Sequence, residues 1–210
     1  MGENNEILFD DNVDIIIAHY NEDLEWVRPY AKNVIIYHKR KEDKPRFPVK
    51  KRVKLENVWR ESHTYLYHIV NNYNNLAQYN IFFQWWVKDH EDVWWVYSSV
   101  NNYIREIKFN GFSCPKLFPL VRKEPQIVFN WKFKEAVENW SLERSSLNFS
   151  QFYEKLFWKK QPFIICSFYA ANFGVSRDVI KKHPLSFYKN ALNLLPTVCN
   201  PEEWHYYERL

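Results

Sequence analysis

Glycine is nearly absent from this chain, with only three in 210 residues. Neither G-x-G-x-x-G nor G-x-x-x-x-G-K-[ST] occurs, so no glycine-rich loop is available to cradle a phosphate. That argues against a dinucleotide-binding Rossmann enzyme and against a P-loop NTPase. Neither H-E-x-x-H nor G-x-S-x-G occurs, which removes the usual zinc-protease and esterase signatures. The three cysteines, Cys114, Cys166 and Cys199, are far apart and form no C-x-x-C. A zinc ribbon is therefore excluded, and free, mostly buried thiols in a reducing compartment are expected. No apolar run reaches the ~18 residues a membrane-crossing helix needs. No repeat or coiled-coil period is present. The opening MGENNEILFDDN is too polar and acidic for a secretory signal, and position six lacks the Ser or Thr of a myristoylation signal. A cytoplasmic location is expected, the host cytoplasm if the source is viral.

Aromatic residues, by contrast, are abundant: ten Trp, fourteen Tyr and sixteen Phe make up 19% of the chain. The hydrophobic share of 46% and charged share of 26% suit a globular protein. A net charge of +4 is too mild for a dedicated nucleic-acid binder. It suits an anionic small ligand held at a local basic site. The frequent Asn, Lys and Tyr suit an AT-rich genome such as that of a large DNA virus.

After a polar extension over 1–12, residues 13–210 read as a single domain. Val13 to Ala18 and Asn33 to His38 are short β-branched runs, the pattern of strands buried on both faces. Between them, Asn21 can cap a helix reaching Pro29, which makes a βαβ-type start. Residues 39–57 read as a charged loop with a basic cluster at Lys50, Lys51, Arg52 and Lys54. It is either a solvated loop or one that closes over a ligand. Tyr65, Leu66, Ile69, Val70, Tyr73 and Leu76 recur at helical spacing and predict a core helix over 61–76. Residues 80–86 read as a third strand, with a helix opening at Asp89 and running to about Ile107. Residues 110–130 read as irregular, 131–139 and 149–158 as helical, and 161–173 as strand. Ser176 caps a short helix, Pro184 begins another, and Asn200-Pro201-Glu202-Glu203 begins the last.

In an open α/β sheet, ligands bind beyond the carboxyl ends of the strands, where the strand order reverses. The groups to inspect are therefore His19 to Asp23, His38 to Arg40 and Gln84 to Asp92. They supply an aromatic face, amides and carboxylates, then cations, then carboxylates with an imidazole.

The stretch Asp14-Ile15-Ile16-Ile17-Ala18-His19-Tyr20-Asn21-Glu22 resembles the opening strand and loop of GT-A-fold nucleotide-sugar glycosyltransferases. Arg60-Glu61-Ser62-His63-Thr64-Tyr65-Leu66, His68-Ile69-Val70, Asn72-Tyr73, Phe82-Phe83-Gln84, Asp89-His90, Phe173-Gly174-Val175-Ser176-Arg177 and Glu208-Arg209-Leu210 extend the resemblance. Over residues 13 to 210 they are similar to a family with fungal, bacterial and viral members. That family in turn resembles the glycosyltransferase domain that opens a multidomain chlorella-virus enzyme. Chains of the family tend to continue past this point, so the sequence is expected to be one domain of a longer protein. The resemblance implies a GT-A-like (Rossmann-like) mixed central sheet flanked by helices. It implies transfer of a sugar from a nucleotide donor, UDP-linked by expectation, to a hydroxyl of a glycan acceptor. Mn²⁺ or Mg²⁺ would stabilise the leaving diphosphate.

The chain departs from the family's usual metal motif. Where Asp-x-Asp is expected it reads Gln84-Trp85-Trp86. The nearest candidates are Asp89 and His90, with His205 completing the shell; the alternatives are an acidic helix start and a packing histidine. Glu208 and Asp178 are the candidate bases toward the acceptor, or an Arg209 partner and a helix-start acid respectively. His19, Tyr20, Asn21 and Glu22 are candidates for the nucleoside: Tyr20 stacks on the base, Asn21 hydrogen-bonds it or only caps a helix, and a carboxylate takes the ribose. Arg60, Glu61 and His63 lie at a helix start near the same face, where Arg60 either pairs with a phosphate or forms a structural ion pair. Trp85-Trp86 and Trp94-Trp95 either line an acceptor groove or belong to the core. A non-catalytic carbohydrate-binding or assembly module is the competing reading; a different metal-assisted transferase or a phosphoesterase is the third.

Overall fold

The structure, a computed structural model, describes residues 12–40, 47–58, 60–84, 100–114, 118–121, 138–139, 142–167, 171–195 and 201–207. Its centre is a six-stranded mixed sheet. The strands are β1 (Val13–His19), β2 (Val34–His38), β3 (Lys51–Lys54), β4 (Tyr79–Gln84), β5 (Phe112–Ser113) and β8 (Phe173–Ser176). They lie in the order β3-β2-β1-β4-β8-β5. The first four are mutually parallel, with Ile15 opposite Val34 and Val13 opposite Tyr79. β8 runs antiparallel to both β4 and β5. β6 (Phe118–Val121) and β7 (Ile164–Ser167) form a separate antiparallel pair.

Six described helices accompany the strands: α1 (Arg60–Asn72), α2 (Val100–Asn110), α3 (Phe149–Phe157), α4 (Arg177–Ile180), α5 (Leu185–Asn193) and α6 (Glu203–Tyr207). The continuous apolar runs of β1 and β2 follow from burial on both faces. Alternate side chains divide between two cores. Ile16, Ala18, Ile35, Tyr37 and Phe82 face Tyr65 and Ile69 of α1, with Phe152, Tyr188 and Tyr206 beyond. Ile15, Ile17, Val34, Ile36 and Phe83 face Tyr103, Ile104 and Ile107 of α2. At ~1.5–3 kcal/mol for each fully buried large apolar side chain, this two-sided burial is the main favourable term.

Several local expectations change. The segment after β1 is a 3-10 helix over Glu25–Asn33 containing Pro29, and Asn21 does not cap it. Asp23 Oδ1 instead accepts from Glu25 N at 3.0 Å, and Pro29 lacks the N–H that an α-helix would use. The basic run at 51–54 is not a loop but edge strand β3. Its backbone pairs with β2, Val53 packs against the core, and Lys51, Arg52 and Lys54 stay exposed. Exposed lysines on an edge strand discourage pairing with other chains. Residues 110–130, read as irregular, contain β5 and β6 among their described positions. The strand material expected over 161–173 falls into two strands of different sheets, with Ala171, whose φ is 42°, between them. The last helix begins at Glu203 because the chain around Pro201 is bridged to Glu143, with Glu202 N donating to Glu143 O at 2.9 Å. Cys114 is free and buried, whereas free Cys166 is exposed, against the expectation of mostly buried thiols. Ser176 does cap α4: its Oγ accepts from Val179 N at 3.3 Å. Trp85, Trp86, Trp94, Trp95, Cys199 and most of the helix predicted over 131–139 lie outside the described residues.

Candidate functional site

The strand order reverses beside β1. The chain moves outward through β2 and β3, then returns to place β4 on the other side of β1. Ala18 pairs with Gln84, so the carboxyl ends of β1 and β4 meet at this switch point. The loop Tyr20-Asn21-Glu22 leaves the sheet there.

Glu22 shapes that loop from inside. Its Oε2 accepts from Tyr20 N at 2.8 Å, and the carboxylate lies 3.7 Å from His19 Nε2. His19 Nε2 donates to the Glu22 carbonyl at 3.0 Å. His19 Nδ1 and His38 Nδ1 are 2.9 Å apart, which ties the ends of β1 and β2 together. With both rings neutral, His19 Nδ1 is the acceptor and His38 Nδ1–H the donor. His19 is only 2% exposed. It and Glu22 thus act on the loop's own geometry, and Tyr20 and Asn21 are the residues turned outward. Tyr20 is 43% exposed, and the Arg40 guanidinium carbon lies 5.6 Å from its ring centroid. That arrangement offers an aromatic face beside a cation.

Lys39 carries the rim toward α1. Its backbone N donates to His19 O at 3.0 Å. Its buried Nζ donates to Val58 O at 2.6 Å and to Arg60 O. Burial pushes the Lys39 amine down to about 8, and the Glu61 carboxylate opposes that shift. These bonds hold the start of α1, where Arg60 has φ 39° and presents its side chain at the surface. Glu61 is buried and His63 half-buried in the first turn. Burial, reinforced by the Lys39 charge, holds the His63 imidazole down to about 4, so it is neutral at neutral pH. On the far side of β4, Asn172 Oδ1 accepts from Gln84 N at 2.8 Å and fixes that strand's end.

The rim therefore brings together His19, Tyr20, Asn21, Glu22, Arg60, Glu61 and His63. Asp178 is not part of it. Ser176 pairs with Tyr79, so α4 starts at the amino end of β4, five residues away along the strand from Gln84. At ~3.3 Å per residue that is about 17 Å of sheet. Exposed Asp178 Oδ2 accepts from Gln78 Nε2 at 3.4 Å. His205 is half-buried on α6, which packs against α1 and α3. Asp89, His90 and Glu208 lie outside the described residues. Among the described residues no group of three or more His, Cys, Asp and Glu side chains is placed to hold a metal ion. Lys39 and Asn172 are the residues whose roles were missed. Position at a strand end pointed to Lys39; no sequence signal pointed to Asn172.

A cavity of about 350 Å³ lies elsewhere, between α1, β8, α3 and α5. Its wall is apolar, with Leu66, Phe157, Phe173 and Phe187 prominent.

The family described as "Protein of unknown function (DUF3431)" matches residues 15–204. The chain belongs to the DUF3431 family. The match runs from Ile15 in β1 to Trp204 in α6, so the DUF3431 region takes in all six strands of the sheet, except the first two residues of β1, and the rim. No curated protein and no solved structure matches. Among the described residues of this DUF3431 chain, no helix is long and apolar enough to cross a membrane.

Proposed function

We propose that this DUF3431 chain is a glycosyltransferase of GT-A-like architecture that takes a nucleotide-sugar, UDP-linked by preference, at the carboxyl rim of its parallel strands. The observation that carries the reading is Tyr20, standing exposed at the β1/β4 switch point with the Arg40 guanidinium over its ring. A nucleoside base stacks on such a face, and its diphosphate then lies toward cations. Arg40 and Arg60 are exposed cations at this rim. Asn21, also exposed, adds an amide beside the stacking ring. The parallel strands β3-β2-β1-β4 with an antiparallel strand next to β4 support the architectural part of the reading.

In sugar transfer the bond from the anomeric carbon to the diphosphate breaks and a bond to an acceptor hydroxyl forms. Charge develops on the departing diphosphate, and fixed cations stabilise it. Arg60 is positioned for this by Lys39, which pins the Arg60 carbonyl from below. A divalent cation, when bound, would supply further stabilisation. The described residues, His205 included, do not by themselves fit one, and the other two expected ligands, Asp89 and His90, lie outside them, so no step is assigned to it.

The test is thermal denaturation with UDP, GDP and UDP-sugars, each with and without Mn²⁺. A ligand at a hundred times its dissociation constant stabilises by about 2.7 kcal/mol. For a chain of this size that raises the melting temperature by about 5–10 °C. A shift with free glycans and none with any nucleotide would instead favour a carbohydrate-binding module.

A further inference from the structure

Away from the rim, the chain carries a different kind of surface. Helix α3 ends at Trp158, whose backbone lies in the left-handed region at φ 53°. Glycine is favoured at that cap because a Cβ crowds the neighbouring carbonyl. Here a tryptophan occupies it, and its side chain is 64% exposed. The residues that follow also expose Phe163 by 66% and, at the first position of β7, Ile164 by 52%. Strain and exposure together, on the largest side chain available, call for a role outside the fold.

Cations surround this stretch. Lys155, Lys159 and Lys160 belong to the same stretch, and Lys181, Lys182 and Lys189 to the stretch facing it; all are exposed. The stretches meet through Phe157 and His183, 6.4 Å between ring centroids, and through Trp158 and Phe187, 6.1 Å. Over 154–160 and 181–189 there are six lysines and one acid, Glu154, a net charge of +5 where the whole chain carries +4. In adjoining α4, Arg177 and Asp178 cancel. The apolar cavity shares Phe157, His183 and Phe187 with this surface, so apolar volume lies directly behind the charged rim.

We propose that this surface docks the protein on an anionic lipid bilayer. Trp158, Phe163 and Ile164 enter the boundary between headgroups and acyl chains, and the lysines meet the anionic headgroups. An indole beside a phenyl ring and a branched aliphatic suits that boundary, where one side is apolar and the other wet. The cations are all lysines, the strongly hydrated point charges that act on a charged surface, with no arginine fork among them to read a base or grip a single phosphate. Charge and exposed hydrocarbon together favour a bilayer over a nucleic acid. Tyr73 OH, just past the end of α1, donates to His183 O at 2.6 Å, so the lysines of 181–189 lie toward the opposite end of α1 from Arg60, away from the proposed nucleotide site.

The experiment is co-sedimentation of the full chain with phosphatidylcholine vesicles, with and without phosphatidylserine. Binding is expected only with phosphatidylserine and should weaken as salt rises. The triple variant Lys159→Gln, Lys160→Gln, Lys181→Gln should bind roughly 100-fold more weakly. Trp158→Gly should bind about tenfold more weakly at any salt, with no fall in melting temperature because glycine relaxes the cap. Equal binding to both vesicle types, unchanged binding by either variant, or binding of an oligonucleotide through these lysines without vesicle binding would overturn the proposal.

Discussion

Gly174→Ala tests how closely α2 is seated on the sheet. A Cβ added to Gly174 would lie 2.4 Å from Ile107 Cδ1, 2.9 Å from Ile107 Cγ1 and 3.5 Å from Tyr103 Cδ1. Ile107 is 1% and Tyr103 2% exposed, so neither side chain has solvent to move into. Overpacking of this kind costs about 1–3 kcal/mol. Alanine recovers about 0.4–1 kcal/mol by restricting the unfolded chain. The net loss is then about 1–2 kcal/mol, or roughly 2–8 °C in melting temperature. Ile107→Val removes the clashing Cδ1 at a cost of about 0.5–1.5 kcal/mol alone. In the double variant the new methyl occupies the space that Cδ1 leaves. The double variant should therefore be about 1 kcal/mol more stable than the sum of the single changes. Urea unfolding of the four proteins, with the slope unchanged, measures this coupling. Additivity within about 0.5 kcal/mol, or a Gly174→Ala protein as stable as the parent, would refute the packing argument.

Three further outcomes follow from the structure. Tyr20→Ala should weaken UDP binding by about 1–3 kcal/mol in calorimetry, the range for base stacking on an aromatic ring, with the melting temperature unchanged; equal affinity removes Tyr20 from the site. His68 is 1% exposed and bonded to Tyr37 at 2.9 Å, and burial holds its imidazole down to about 3, with Lys51 and Lys50 adding to the shift. The unfolded chain takes that proton first, so stability should fall as pH drops below about 6.5, by up to ~1.4 kcal/mol per pH unit from this group. Urea midpoints from pH 7 to 5 should show a shallower slope in His68→Gln, and an unchanged slope would assign the effect elsewhere. Lys50 Nζ lies 2.6 Å from Asp14 Oδ1 near the amino end of β1, where Asp14 is buried. Lys50→Met should cost about 1–3 kcal/mol by leaving that carboxylate unpaired, and Asp14→Asn should recover part of the loss; denaturation of the single and double variants decides.

The parts of the fold legible in the sequence are those whose pattern reflects burial. β1, β2 and β4 show as short runs of Ile, Val and Phe because both sheet faces are covered, and α1 shows through its helical spacing. β3 was hidden because three of its four side chains are charged and exposed, and only Val53 packs against the core while the backbone joins the sheet. The division of 161–173 was hidden as well. It depends on Asn172 reaching Gln84, 88 residues away in sequence, and on Tyr65 OH donating to Ala171 O at 3.0 Å. At the rim, the loop after β1 was legible from the rule that ligands gather at strand ends. The inward role of Glu22 was not, because Tyr20 N, its partner, is a backbone group that any residue would offer.

From residue order alone come the mixed α/β class, the first βαβ unit and the position of Tyr20, since hydrophobic periodicity and strand-end location are local properties. Tertiary structure alone reversed β8, carried Asp178 to the far end of the sheet and joined His19 to His38. Those outcomes depend on which strands pair and in which direction. Pairing satisfies backbone hydrogen bonds shared by every residue type, so side-chain pattern carries little information about it.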